Sequence, residues 1–135
     1  MPKIMADHNA EGHLDALLNI WTSSAWNEVW RDASCDVESF QRLGIRHDTR
    51  DDELWRLCQQ EGIILITGNR NAEGDDSLEV TIVNHRDEDS LPVLTIGDPT
   101  RLLKDRAYAA RVAEQILEYV LDLENLRGVG RLYVP

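Results

Sequence analysis

Basic residues are scarce in this sequence of 135 residues, where 14 lysines and arginines accompany 25 aspartates and glutamates and the formal net charge is −11. Such a charge works against nonspecific attraction to nucleic acid, because a phosphate backbone is drawn to lysine and arginine. A metal-dependent nuclease is not excluded, since a site made of carboxylates is acidic and needs divalent cations to meet phosphates. The charge therefore disfavours a plain DNA- or RNA-binding module more than it disfavours a metal-dependent enzyme.

Long apolar runs are also absent. No stretch approaches the length of a membrane span, and residues 1–5 lack the apolar core of a signal peptide. Only two cysteines occur, Cys35 and Cys58, without metal-ligand spacing, and Cys58 falls on the apolar face of a predicted helix. We therefore expect reduced thiols, a cytoplasmic protein and no membrane partner.

Common catalytic motifs are missing as well. Gly128 and Gly130 follow a helix rather than open one, so they do not form a phosphate-binding loop. No serine–histidine–aspartate or cysteine–histidine order indicates covalent catalysis. His8 and His13 flank an acidic turn but have neither zinc-site spacing nor further ligands. Tryptophans recur at helical intervals, which favours core or interface positions over a base-stacking platform. They are Trp21, Trp26, Trp30 and Trp55.

The sequence does contain an alternation of strand-like and helix-like segments with short connections. The predicted strands are 3–6, 62–66, 91–97 and, as an edge strand, 131–134. The predicted helices are 10–21, 50–62, 77–85 and 100–124, with one or two short helices between 22 and 47. Residues 77–85 have helical apolar spacing, and a strand is the alternative because the segment is rich in β-branched residues. This order predicts one α/β domain over residues 1–135, with three layers and a mostly parallel sheet.

The stretch GIILITGNRN, residues 62–71, combines an apolar strand with a polar tip. Its aliphatic run is typical of a parallel strand that is covered on both faces. In open α/β sheets, ligands bind beyond the carboxyl ends of the strands. The segment 3–6 ends at Asp7 in the same way. We therefore predict that these two strands are parallel neighbours and that their tips share one site.

Two helices carry further predictions. In residues 50–62, Asp51 occupies the expected N-cap position and Gly62 the expected stop. The long helix 100–124 is expected to pack its apolar residues against the sheet or a neighbouring chain. Those residues are Leu103, Ala110, Ile116, Leu117 and Val120.

The blocks KIMADHN and DDELWRLCQQEGIILITGNRN, about a quarter of the chain, resemble the PIN-like nucleases, a group of small proteins often paired with antitoxins. That family has a first strand ending in aspartate, a helix opened by aspartate, and a strand ending in a threonine followed by two alternate aspartates. Asp7 matches the first acid, Asn9 its polar neighbour and Asp51 the second acid. Asp52 is the alternative if the register shifts by one residue. The resemblance implies a PIN-like three-layer sandwich.

The chain departs from the family after Thr67, where Asn69 and Asn71 stand in place of two aspartates. The resemblance implies that Asp7, Asp51 and Asn69 are ligands of Mg²⁺ or Mn²⁺, with Asn71 at the fourth site position. An asparagine offers a carbonyl oxygen without charge, so the ion should bind more weakly than in the family. Neighbouring residues that could assist are Asn9, Asp52, Thr67, Arg70, Glu73, Asp75 and Asp76.

The resemblance implies a Mg²⁺- or Mn²⁺-dependent ribonuclease whose acidic site is degenerate. The alternative is a catalytically inactive binding or regulatory module in a toxin–antitoxin-type complex. The expected partners are RNA, a protein such as an antitoxin, and a second copy of the chain. A response-regulator-like acidic pocket is disfavoured, because Asp7-His8 and the segment LTIGDP supply neither paired acids nor a lysine.

Local roles explain the same residues without a shared site. Asp7 could close the turn after its strand, and Asp51 could cap its helix. Asn69 and Asn71 could form a turn, because asparagine tolerates left-handed backbone. Only the combination of these residues favours a common site.

Overall fold

One five-stranded sheet lies at the centre of the computed structural model, which describes residues 1–68 and 77–135. Its spatial order is β2-β1-β3-β4-β5, and every neighbouring pair is parallel. The strands are β1 (Lys3–Ala6), β2 (Asp36–Val37), β3 (Ile63–Gly68), β4 (Val93–Ile96) and β5 (Arg131–Val134). The predicted α/β class with a mostly parallel sheet is confirmed.

Seven α-helices connect these strands within the described residues. They are α1 (Glu11–Trp21), α2 (Asn27–Ala33), α3 (Phe40–Leu43), α4 (Asp51–Glu61), α5 (Ser77–His85), α6 (Pro99–Leu102) and α7 (Arg106–Leu121), and a 3₁₀ turn follows at Leu123–Leu126. The helix expected over 77–85 is confirmed as α5. No helix in the described part of the chain has both the length and the apolar character that crossing a bilayer requires.

The predicted adjacency of the first and third strands is confirmed. Lys3 lies opposite Ile63 and Ala6 opposite Ile66 in the parallel ladder. Both strands are almost wholly buried, because helices cover each face of the sheet. This is why their sequences are continuous apolar runs rather than alternating ones.

Helices cover the two faces of the sheet in separate groups. Ile4, Ile64 and Ile66 point into a core shared with α1, α2 and α7, which we call the α1/α7 face. Met5 and Leu65 point the other way, into a core shared with α3, α4 and α5, which we call the α4/α5 face. Side chains alternate between these faces along each strand, as the period of two requires.

The predicted helix 100–124 is wrong as a single element. Asp98 accepts a hydrogen bond from the Arg101 N–H and starts the short α6, with proline at its first position. Asp105 accepts from the Tyr108 N–H and starts α7. Asp105 thus divides the segment, because its side chain satisfies a helix N–H group that a continuous helix would bond to a backbone carbonyl.

The division also changes which apolar residues are buried. Ile116, Leu117 and Val120 are buried as predicted, whereas Ala110 is half-buried. Leu103 is 57% exposed, so its predicted packing is wrong. Leu103 lies in the break between α6 and α7, so it is not on the buried apolar face of α7.

The segment 22–47 contains two short helices, α2 and α3, and also the strand β2, which was not predicted. β2 has two residues, and Asp36 and Val37 pair with Lys3 and Ile4 of β1. A strand this short has no periodicity from which it can be recognised. Trp21 is buried and stacks on the half-buried Trp30 with ring centroids 4.7 Å apart, which confirms a core position for Trp21.

Leu117 and Leu121 provide a matched pair of leucines on α7. Leu117 is buried, whereas Leu121 is 65% exposed. We expect Leu117→Ala to lower the free energy of unfolding by about 2–5 kcal/mol, because truncation leaves a cavity beside the sheet. Leu121→Ala should change it by less than about 0.5 kcal/mol. Urea denaturation measures both values, and equal losses would contradict the assigned face.

Both cysteines are free, as expected. Burial raises the pKa of the Cys58 thiol to about 12. Burial, and after it the adjacent Asp36 carboxylate, raises the pKa of the Cys35 thiol to about 12. In both cases the protein holds the sulfur in its neutral, unreactive form.

This protonation state predicts slow thiol chemistry in the folded protein. At about pH 8, Cys35 and Cys58 should react with a disulfide reagent far more slowly than a free thiol, because only the thiolate attacks. Unfolding in urea should make both sulfurs react at the ordinary rate. The time course of the released chromophore checks this, and rapid modification of the native protein would contradict the raised pKa values of the two thiols.

Candidate functional site

The carboxyl ends of β1 and β3 form the topological switch point of the sheet. From β1 the chain crosses to β2 on one side, whereas from β3 it crosses to β4 on the other. The first crossover uses helices of the α1/α7 face and the second uses α5 on the α4/α5 face. In doubly wound sheets the crevice at such a point is where ligands bind, and Asp7 and Gly68 stand there.

Asp7 continues the ladder of β1 beyond its last residue. Its N–H donates to the carbonyl of Ile66 at 3.0 Å, and its side chain is buried, with 1% of the residue exposed. Since Ala6 belongs to the core of the α1/α7 face, the alternation of the strand directs Asp7 toward the α4/α5 face. A buried carboxylate at a sheet edge is costly unless it is bonded.

One bond of Asp7 is local. Its Oδ1 accepts from the N–H of Asn9 at 3.1 Å, and its carbonyl accepts from the N–H of Ala10. The aspartate therefore does close the turn that leads into α1. Asn9 itself is exposed. The turn accounts for the contact that Oδ1 of Asp7 makes with Asn9.

Two threonines extend a polar row across the neighbouring strands. Thr67 and Thr95 are buried and lie opposite each other in β3 and β4. Their Oγ1 atoms are 3.2 Å apart. The register that pairs Ala6 with Ile66 puts Asp7 beside Thr67. Asp7, Thr67 and Thr95 thus form a row of polar side chains on the α4/α5 face, just beneath the carboxyl edge.

Asp51 also lies at the carboxyl edge. α4 ends at the amino edge, where Gly62 leads directly into β3. Its 11 residues extend about 16 Å back along the sheet, so its first turn reaches the opposite edge. Asp51 is half-buried there. Topology therefore directs Asp51 to the same edge and the same face as Asp7.

The predicted N-cap role of Asp51 is wrong by one residue. Arg50 occupies the cap position without a side-chain bond, and Asp51 is the first residue of the helix. Its carboxylate lies in the first turn, where a negative charge interacts favourably with the N-terminal end of the helix dipole. Asp52 forms an ion pair with Arg50 at 3.0 Å. Desolvation opposes ionisation of Asp52, but the charge and hydrogen bond of Arg50 and the backbone hydrogen bonds of Glu53 and Asp52 together outweigh it and lower the pKa of the carboxyl.

Two histidines that the sequence analysis did not use lie at the same edge. The rings of His8 and His47 are 5.8 Å apart, edge to face, and Phe40 packs against His47 at 5.0 Å. The Nε2 atom of His47 bonds the carboxylate of Glu11. No spacing in the sequence links the two groups, because residues 8–11 and 40–47 are separate segments that meet only in the fold.

The polar tip after β3 lies outside the described residues. This applies to the predicted site residues Asn69, Arg70, Asn71, Glu73, Asp75 and Asp76. Within residues 1–68 and 77–135, no group of three histidine, cysteine or acidic side chains is arranged to hold a metal ion. The convergence of Asn69 with Asp7 and Asp51, and the binding of Mg²⁺ or Mn²⁺, therefore stay predictions.

The sequence matches no protein-family model, no curated protein and no solved structure. The resemblance to PIN-like nucleases thus stays a prediction. The class that the fold defines is a three-layer α/β protein with an all-parallel, doubly wound sheet and a switch point marked by Asp7.

The threonine pair gives a direct test of the polar row. Thr67→Val or Thr95→Val alone should destabilise the protein by about 1–3 kcal/mol, because the remaining hydroxyl is buried without its partner. The double change should cost less than the sum of the two, since both polar groups are then removed. A double-mutant cycle in urea measures the coupling, and strictly additive losses would argue against the bond.

Proposed function

We propose that this protein is a PIN-like, Mg²⁺- or Mn²⁺-dependent ribonuclease with a degenerate acidic site. The observation that carries the proposal is the buried carboxylate of Asp7 at the switch point, with Asp51 at the same edge and face. In this proposal Asp7 and Asp51 are the charged ligands. Asn69 and Asn71 occupy the two positions where the family carries aspartate.

The donor set on the described residues suits a hard cation. Two carboxylates and the hydroxyl of Thr67 supply oxygen atoms only, which Mg²⁺ and Mn²⁺ prefer over nitrogen or sulfur. Such an ion would neutralise the charge on a phosphate, which a chain with a net charge of −11 otherwise repels. Asp7 and Asp51 would hold the ion, and RNA would be the substrate.

The second candidate is an inactive PIN-like module that binds a partner, such as an antitoxin-like protein or another copy of the chain. What favours it is the chemistry of the tip after β3, where two asparagines bring no charge. Fewer anionic oxygens weaken the hold on a cation that gives up its water reluctantly. Glu73, Asp75 and Asp76 follow closely and could restore the lost charge. Metal affinity therefore separates the two candidates.

The test restores the two carboxylates that the family carries after the threonine of this strand. We expect Asn69→Asp combined with Asn71→Asp to tighten Mn²⁺ binding, because two carboxylates join the site. The natural protein should bind Mn²⁺ weakly and cleave RNA slowly or undetectably. Without metal, the double variant should also unfold at a lower temperature near neutral pH, since the added like charges repel. Calorimetric titration with Mn²⁺ and thermal unfolding measure both effects on one sample.

A charge-matched control separates the site from a general effect of charge. Asn19 and Asn84 are exposed near the C-terminal ends of α1 and α5, at the opposite edge of the sheet. Changing both to aspartate adds the same charge and should leave Mn²⁺ affinity unchanged. Adding Asp7→Asn to the first double variant should remove its gain, because the proposed ligands share one ion.

Each outcome decides between the candidates. Tight Mn²⁺ binding with brisk RNA cleavage by the natural protein would mean that the acids after the tip already complete the site. A double variant with no gain in affinity, or an equal gain in the Asn19 and Asn84 control, would rule out the proposed ion site. The binding module would then be the better description.

A further inference from the structure

A pocket opens at the carboxyl edge of the sheet, on the side of α1 and α6 and opposite the face toward which Asp7 is directed. Its volume is about 390 Å³, which lies within the range of small-ligand sites. The turn after β1, the last residue of β3 and the loop around α6 form its walls. The lining includes Asn9, His13, Gly68, Pro99, Leu103 and Lys104. It therefore adjoins Asp7 through Asn9 but faces α1 and α6.

The charge of this pocket is opposite to that of the whole chain. Lys104 is one of its lining residues, and no described acidic residue is another. The nearest acid in sequence, Asp105, is engaged elsewhere, because its carboxylate bonds Arg101 at 3.0 Å and the N–H of Tyr108 at 3.1 Å. The ammonium group of Lys104 is therefore not neutralised by its neighbour. An anion is the ligand that this charge favours.

His13 provides a second polar group with an unfilled position. Its Nε2 lies 2.9 Å from the carbonyl oxygen of Pro99, and since a carbonyl only accepts, Nε2 carries the proton. Its Nδ1 is buried and has no partner among the described residues. A protonated ring makes Nδ1–H a donor, which an anion beside Lys104 would satisfy.

The remaining walls are apolar. Leu103 is 57% exposed at the break between α6 and α7, and the ring of Pro99 faces Gly68. A Cβ atom at Gly68 would come within 3.2 Å of the Pro99 Cγ atom, so glycine keeps β3 and the loop in close approach without filling the pocket. A flat apolar wall beside a cationic group suits a ring attached to a phosphate.

We propose that this pocket binds one nucleotide unit of a nucleic acid strand. Lys104 and His13 contact the phosphate, with the hydroxyl of Thr100 as a further donor, and Pro99 and Leu103 contact the sugar and base. The identification of the strand as RNA rests on the proposed nuclease function. The pocket itself does not depend on metal binding at Asp7, so the two can be tested apart.

The test measures binding without metal. Adenosine monophosphate, inorganic phosphate, adenosine and the dinucleotide uridylyl-uridine are titrated into the full chain in EDTA, followed by NMR. We expect the nucleotide and the dinucleotide to shift resonances of the pocket residues and to bind more tightly than adenosine or phosphate alone. Lys104→Met should weaken this binding about tenfold or more, because it removes a charge-assisted contact.

The only other lysine of the chain supplies the matched control. Lys3 stands at the opposite edge, where its Nζ donates to the carbonyl of Glu61 at 3.1 Å. Lys3→Met removes the same charge and should change the affinity by less than about twofold, since screened surface charges act weakly at this range. Thermal unfolding of both variants confirms that they are folded.

Several results would overturn the proposal. Equal weakening by Lys104→Met and Lys3→Met would indicate a long-range effect of charge rather than a contact in the pocket. Binding of inorganic phosphate alone would indicate a simple anion site, and equal affinity for adenosine and its monophosphate would exclude a phosphate contact. If none of the four probes binds, the pocket is not a nucleotide-binding site. Retention of nucleotide binding with no Mn²⁺ affinity at Asp7 would instead refute the nuclease proposal alone.

Discussion

The parallel pairing of β1 with β3 is the constraint on which the rest of the structure depends. Both strands are buried on both faces, so their backbone groups have no water to bond and must pair with each other. The register then decides which face every side chain meets. A slip of one residue would turn Asp7 from the α4/α5 face to the α1/α7 face. The position of the candidate site thus follows from the packing of Ile4, Met5, Ile64 and Leu65.

The carboxyl edge of the sheet has two chemically different sides. Asp7 and Asp51 lie on the α4/α5 face, where α4 begins. Lys104 and His13 lie on the side of α1 and α6, around a pocket that no described acid lines. A phosphate strand crossing this edge would meet carboxylates, and any cation they hold, next to a positive group. This division is what the proposed function would require of a strongly acidic chain that meets a polyanion.

The prediction of one helix over 100–124 failed because a short polar signal competed with a periodic apolar one. The apolar stripe of 100–124 continues through the segment, yet Asp98 and Asp105 each cap a new helix and the break leaves Leu103 exposed. β2 forms because Asp36 and Val37 meet the free side of β1, a long-range contact with no local sequence signal. His47 reaches Glu11 and His8 for the same reason.

Local sequence determined the elements with long apolar runs or clear ends. The strand GIILIT and the helix that Gly62 stops follow from apolar period and capping alone. Only the tertiary structure decided which tips are neighbours, that Asp7 is buried beside Thr67, and that Gly68 lies against Pro99. The physical reason is the distance along the chain over which each interaction acts. Helix propensity and capping act between residues within about one helical turn, whereas the site is formed by strands that come from distant parts of the chain.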